Sequence, residues 1–108
     1  MWAVFQPHRY SRTAGLAAGF GPALAAADRV VVTGIYGAGE PPRPGVTGRL
    51  VADAVKAAGG AVEYVAVRRD VAAYLDANAE AGDLVLLLGA GDITLVADEL
   101  AARLGQRI

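Results

Sequence analysis

The chain has 108 residues, ten basic and eleven acidic side chains, a net charge of −1 and no cysteine. That length suits one domain, residues 1–108, with a core that needs no staples. The lack of cysteine excludes a disulfide framework and a thiolate metal site, and the balanced charge offers no general surface for nucleic acid or a membrane.

The apolar fraction is 55%, much of it alanine, and the longest charge-free run covers residues 13–27. This falls short of the ~20 residues needed to cross a bilayer, and Gly15, Gly19, Gly21 and Pro22 interrupt it. No basic start, apolar stretch and small-residue cleavage site open the chain. A soluble, cytoplasmic protein is expected.

Residues 2–5, Trp-Ala-Val-Phe, read as a buried strand. Pro7 biases Gln6 away from helix, so the chain leaves the sheet before His8. Ser11 or Thr13 is placed to cap a helix over residues 14–27, with Leu16, Phe20 and Leu24 on one face. Gly21-Pro22 is expected to kink or split it. Residues 29–35 form the second strand, and three successive valines suit cover on both faces. A Gly- and Pro-rich loop, residues 36–46, leads to a helix over 47–58, which Gly59-Gly60 stops. The third strand covers 62–67, and Asp70 is expected to cap a helix over 71–79. Gly82-Asp83 turns the chain into a fourth strand, 84–88. Gly89-Ala90-Gly91 is the next turn, and Asp92 is expected to cap a last helix to about residue 104.

Strand followed by helix, four times over, implies parallel strands joined by right-handed crossovers. The fold class is therefore α/β: a doubly wound, mostly parallel sheet of four to five strands with helices on both faces. In such sheets ligands bind beyond the carboxyl ends of the strands. There the sequence places His8, Arg9, Tyr10 and Arg12 at a helix start. A cation at the positive end of a helix is the wrong sign by about 0.3–1 kcal/mol. An anion held between the arginines and the backbone N–H groups would explain two of them. Arg9 and Arg12, three apart, share a face if the helix starts early, and guanidinium forks match a carboxylate or phosphate. The blander alternative is a solvated surface pair with His8 packed on the loop.

The stretch from Gly34 to Glu40 follows a strand but has the spacing Gly-x-x-Gly-x-Gly. Three prolines within residues 41–44 then keep it from passing into a helix, as a dinucleotide turn must. It reads as a rigid loop with Tyr36 capping the sheet edge. Gly89-Ala90-Gly91-Asp92 does enter a helix, yet Thr94 stands where the third glycine would be. Asp92 also puts a negative charge where a phosphate would sit. The chain contains no Gly-x-x-x-x-Gly-Lys-Ser/Thr loop for ATP and no Gly-x-Ser-x-Gly. One histidine and no cysteine leave no zinc set. Ser11 is the only serine and Lys56 the only lysine, and neither sits in a supporting motif.

Phe5-Gln6-Pro7-His8-Arg9-Tyr10-Ser11-Arg12-Thr13 resembles the start of the C-terminal domain of the muramyl (Mur) ligase family. Two later stretches are similar to the same family in the same order: Ile35-Tyr36-Gly37-Ala38-Gly39-Glu40-Pro41 with Gly45 following, and Gly89-Ala90-Gly91-Asp92-Ile93. Within the family the likeness is to the members that join L-alanine to UDP-N-acetylmuramate. The resemblance implies a Rossmann-like amino-acid-binding domain in which Arg9 and Arg12 clamp the carboxylate of L-alanine. It makes His8 a neighbouring polar contact, and Tyr36, Glu40 and Gly91 further site residues. It also implies ATP and magnesium, bound mainly by a central domain, so that the chain alone would be inactive.

In the resembling ligases a helix, and before it a His-rich segment, precede the first strand. A fragment of a larger enzyme is therefore expected. One sheet face beside Trp2 and Val4 should lie bare, leaving a groove or driving self-association. A stand-alone anion-binding module without chemistry keeps the same arginines. A nucleotide-dependent oxidoreductase is the weaker third reading.

Overall fold

The structure, a computed structural model, describes residues 1–105. Its strands are β1 (Trp2–Phe5), β2 (Arg29–Thr33), β3 (Val62–Val65) and β4 (Val85–Leu88). Its helices are α1 (Tyr10–Leu24), α2 (Arg49–Ala57), α3 (Val71–Asn78) and α4 (Leu95–Gly105). One 3-10 turn, Arg68–Asp70, leads into α3, and another, Asp92–Thr94, leads into α4. Among the described residues the sheet has four strands in the order β3-β2-β1-β4, all parallel. The chain winds outward from β1 to β3, then crosses back to lay β4 on the other side of β1. The order thus reverses between β1 and β4, and their carboxyl ends flank the switch point.

Alternation along β1 and β2 divides the core in two. Ala3, Val30 and Val32 pack with Ala17, Leu24, Val51, Ala52 and Val55 under α1 and α2. Trp2, Val4 and Val31 point the other way and pack with Val71, Leu75, Ile93 and Val96 under α3 and α4. Burying apolar side chains of this size stabilises by about 1.5–3 kcal/mol each, so both faces of β1 and β2 need their helices.

The edge strand β4 is treated differently. Val85 and Leu87 join the α3–α4 core. Leu86 and Leu88 pair in register with Ala3 and Phe5, so they face the α1–α2 side, where they are 39% and 40% exposed. Leu84, just before the strand, is 58% exposed. A bare patch therefore exists, but on the opposite face from the one expected. Trp2 and Val4 are buried because α3 and α4 cover their side.

Helix α1 starts at Tyr10, four residues earlier than expected. Neither Ser11 nor Thr13 caps it: Arg9 holds the cap position without a side-chain bond, and the Thr13 hydroxyl donates to the Arg9 carbonyl at 2.8 Å. Pro22 does not split the helix, which runs on to Leu24. Pro22 lies in the last turn, where the Ala25 N–H still reaches the Gly21 carbonyl at 2.9 Å. The buried stripe is Thr13, Ala17, Gly21 and Leu24, while Leu16 is exposed. Small residues face inward because α1 and α2 nearly touch: a Cβ on Gly21 would lie 2.4 Å from the Ala54 carbonyl oxygen. The Asp70 and Asp92 side chains also make no caps. Among the described residues, no helix is long and apolar enough to cross a membrane.

Candidate functional site at the sheet switch point

The loops leaving β1 and β2 are joined beyond the strands. The Tyr36 N–H donates to the Pro7 carbonyl at 2.9 Å, and the Arg9 N–H donates to the Tyr36 carbonyl at 2.8 Å. His8 and Tyr36 thereby form a short parallel bridge, and their rings stack with centroids 6.0 Å apart. Arg9 takes φ 66 to make this turn, a left-handed conformation that costs a non-glycine residue about 1–3 kcal/mol. The Tyr36 ring lies over Gly91, where a Cβ would approach it to 2.4 Å. Gly91 therefore allows the β2 loop to close on the β4 loop.

Beside this layer, at the switch point, a crevice of about 220 Å³ opens between the ends of β1 and β4 and the start of α1. Gln6, His8 and Arg12 supply its polar end; Phe5, Phe20 and Ala90 supply apolar wall. Phe5 and Phe20 pack ring on ring at 4.8 Å. Arg12 is exposed on the first turn of α1, so its guanidinium is free to meet a ligand from solvent.

The other expected site residues stand elsewhere. Glu40 reaches back from the β2 loop to the start of α1, where it accepts the Ser11 hydroxyl at 2.7 Å and the Ser11 N–H at 3.1 Å. The Ser11 hydroxyl, and then its N–H, hold the Glu40 carboxyl below the usual carboxylate range. Arg9 stands within electrostatic reach of the same carboxylate and does not line the crevice. The expected cluster thus divides into His8 with Arg12 in the crevice, Arg9 with Glu40 beside it, and Tyr36 packed on Gly91. Because Ser11 gives its hydroxyl to Glu40, it is not paired with His8 as a hydrolase nucleophile would be.

The sequence reading did not assign to the site Gln6, which lines the crevice, or Asp92, Arg68 and Glu99, which are linked to it from behind. Gln6 is 3% exposed. Its side-chain amide donates to Asp92 Oδ1 at 2.7 Å, and its carbonyl accepts from the Ile93 N–H at 3.2 Å. Arg68 Nε reaches Asp92 Oδ2 at 3.2 Å, and Arg68 Nη1 reaches Glu99 Oε1 at 2.6 Å. An amide between Phe5 and Pro7, at the end of an otherwise apolar strand, was the available signal. A buried polar group needs partners, and here they come from 86 and 87 residues away. Among the described residues, no group of three or more His, Cys, Asp or Glu is placed to hold a metal ion. The arrangement can hold a small carboxylate against Arg12 with an apolar group on the phenylalanines.

Residues 1–91 match the family model described as Mur ligase, glutamate ligase domain. The chain is 54% identical over 102 residues to the UDP-N-acetylmuramate–L-alanine ligase of Cutibacterium acnes, covering 94% of this chain and 22% of that protein. It is 52% identical over 104 residues to the enzyme of the same name from Kineococcus radiotolerans, covering 96% and 22%. The crystal structure of UDP-N-acetylmuramate–alanine ligase from Thermotoga maritima superposes with a TM-score of 0.72 at 25% identity, covering 99% of this chain and 20% of that one. The chain therefore spans about a fifth of the length of these relatives.

Proposed function

Since this chain belongs to the Mur ligase family, in its glutamate ligase domain, we propose that it is the amino-acid-receiving domain of a longer cytoplasmic enzyme that joins L-alanine to UDP-N-acetylmuramate. The relatives' names supply the two substrates. The observation that carries the assignment to a place is the switch-point crevice, where Arg12 and His8 stand beside an apolar wall. L-alanine offers a carboxylate for the first and a methyl for the second.

The residues here do not fit ATP or magnesium. The chain has no phosphate-cradling glycine loop with its lysine, and the described residues place no three or more His, Cys, Asp or Glu together to hold a metal ion. Those two are assigned to the rest of the longer protein, and the isolated 108-residue chain is expected to be inactive. This chain's share is positional. Arg12 takes the amino acid's carboxylate in its fork, and the methyl rests on Phe5 and Phe20. The amine is then turned toward the carbonyl carbon of the muramyl acyl phosphate, where the C–N bond forms as the C–O bond to phosphate breaks, phosphate leaves and the amine gives up a proton. Such pre-orientation supplies a large part of the rate in a two-substrate reaction.

Arg12→Ala in the full-length enzyme tests the reading. A lost hydrogen bond to a charged group is worth about 1.5–3 kcal/mol. The KM for L-alanine should therefore rise by about ten- to a hundredfold, while the KM for ATP holds. An unchanged KM for L-alanine would remove the crevice from consideration.

A further inference from the structure

We propose that Arg68 and Asp92 are positioning residues for the amino-acid crevice, acting on His8 and Arg12 through the buried side chain of Gln6. The inference rests on the amino-acid reading of the crevice and adds to it Arg68 and Asp92, which do not line it.

Gln6 is the last residue before the chain turns into the crevice loop. Its backbone N–H donates to the Leu88 carbonyl at 2.9 Å, ending the β1–β4 ladder. Its side chain then crosses to the β4 loop and is held at both polar ends by Asp92 and Ile93. Asp92 is held in turn by Arg68, which comes from the 3-10 turn after β3. Arg68 is clamped on its far side by Glu99 of α4. One chain of contacts thus ties together the exits of β3, β4 and β1. Its end at Gln6 lies two residues from His8, across the fixed φ of Pro7.

Stability alone does not account for this arrangement. The Arg68 side chain is 12% exposed, so desolvation offsets most of what its ion pairs return, and apolar residues of similar volume would hold α3 to α4 as well. What apolar residues could not do is fix the direction of Gln6. A hydrogen bond sets direction where a methyl contact does not, and crevice geometry depends on how the chain leaves β1. Asp92 therefore has both carboxylate oxygens committed, one to Gln6 and one to Arg68.

The test uses the full-length ligase. Asp92→Ala and Gln6→Ala should each raise the KM for L-alanine by about tenfold, since a displacement near 1 Å is costly to an oriented site. The KM values for ATP and UDP-N-acetylmuramate should stay within twofold. The double variant should be no worse than either single one, as members of one chain of contacts are not additive. Asp92→Asn, which keeps an acceptor for Gln6, should restore most of the affinity. Should Asp92→Ala fail to fold, Arg68→Gln carries the same comparison with a smaller effect, set against Asp92→Asn as the variant that keeps Gln6 bonded. The inference is overturned if the KM for L-alanine is unmoved while Arg12→Ala still raises it, or if all three KM values rise together as general loosening would make them. If Arg12→Ala leaves the KM for L-alanine unchanged, the amino-acid reading itself has failed.

Discussion

Gly19 and Gly21 lie two residues apart in α1 and should answer alanine in opposite directions. Both are inside the helix, so alanine gains the roughly 0.8–1 kcal/mol by which it exceeds glycine there. Around Gly19 nothing lies within 4 Å of the added methyl, and the gain stands. At Gly21 the methyl would sit 2.4 Å from the Ala54 carbonyl oxygen, 2.7 Å from its carbon and 3.0 Å from its Cβ. Comfortable carbon contacts begin near ~3.5 Å, so α1 and α2 must separate by on the order of 1 Å. The obstacle is mainly backbone and cannot rotate aside, which places the cost in the upper part of the ~1–3 kcal/mol range for overpacking. After the propensity gain, Gly21→Ala is left about 1–2 kcal/mol less stable than the parent. The two variants should then differ by about 2–3 kcal/mol, or roughly 10 °C or more in melting temperature. Urea unfolding followed by the fluorescence of Trp2, the sole tryptophan and 3% exposed, reads this directly. A Gly21→Ala midpoint at or above that of Gly19→Ala would refute the close helix contact.

The lowered Glu40 carboxyl makes a contribution to stability that is whole above its unfolded titration near ~4.3 and is lost as pH falls through the lower folded value. The stability difference between the parent and Glu40→Gln should be flat from about pH 6 to 7 and shrink in acid; a difference that grows on acidification would contradict the Ser11 contact. Arg9→Gly relieves the φ 66 conformation, about 1–3 kcal/mol of strain, against ~0.4–1 kcal/mol of added unfolded-state freedom. Arg9→Gly should therefore unfold at higher urea than Arg9→Ala, which keeps the strain; equal midpoints would show the turn to be relaxed. The isolated chain should self-associate through the bare side of β4, and Leu86→Glu should return it to monomer in sedimentation velocity. A parent chain that sediments as monomer at every concentration would dismiss that patch.

The strand order and the two-faced core follow from features visible in the sequence. Strand–helix alternation dictates parallel strands, and Val30, Val31 and Val32 announce cover on both sides. The start of α1 was less visible because its counter-charge is remote. Glu40 stands 29 residues from Ser11, so local capping rules favoured Ser11 or Thr13 and delayed the helix. The bare face was misplaced for a related reason. Residues 84–88, Leu-Val-Leu-Leu-Leu, are apolar throughout, so β4 carries no alternation to say which side its helices cover. The Gln6–Asp92–Arg68 contacts were hidden because Asp92 stands at a helix start, where an ordinary N-cap is the default expectation.

Charge at the crevice distinguishes among the anions it could hold. Arg9 and Arg12 bring two positive charges to the positive end of α1, and Glu40 brings one negative charge to the same turn. Arg9 is the guanidinium nearest that carboxylate in effect, whereas Arg12 lines the crevice. One positive charge is thus left over, and it faces the open site. A carboxylate cancels it. A phosphate group carries about −1.5 to −2 at neutral pH and would leave an excess negative charge beside Glu40. Inorganic phosphate should accordingly compete poorly with L-alanine in the full-length enzyme, and Glu40→Gln should improve that competition. Phosphate inhibition as strong in the parent as in Glu40→Gln would mean that Glu40 does not set the charge of the site.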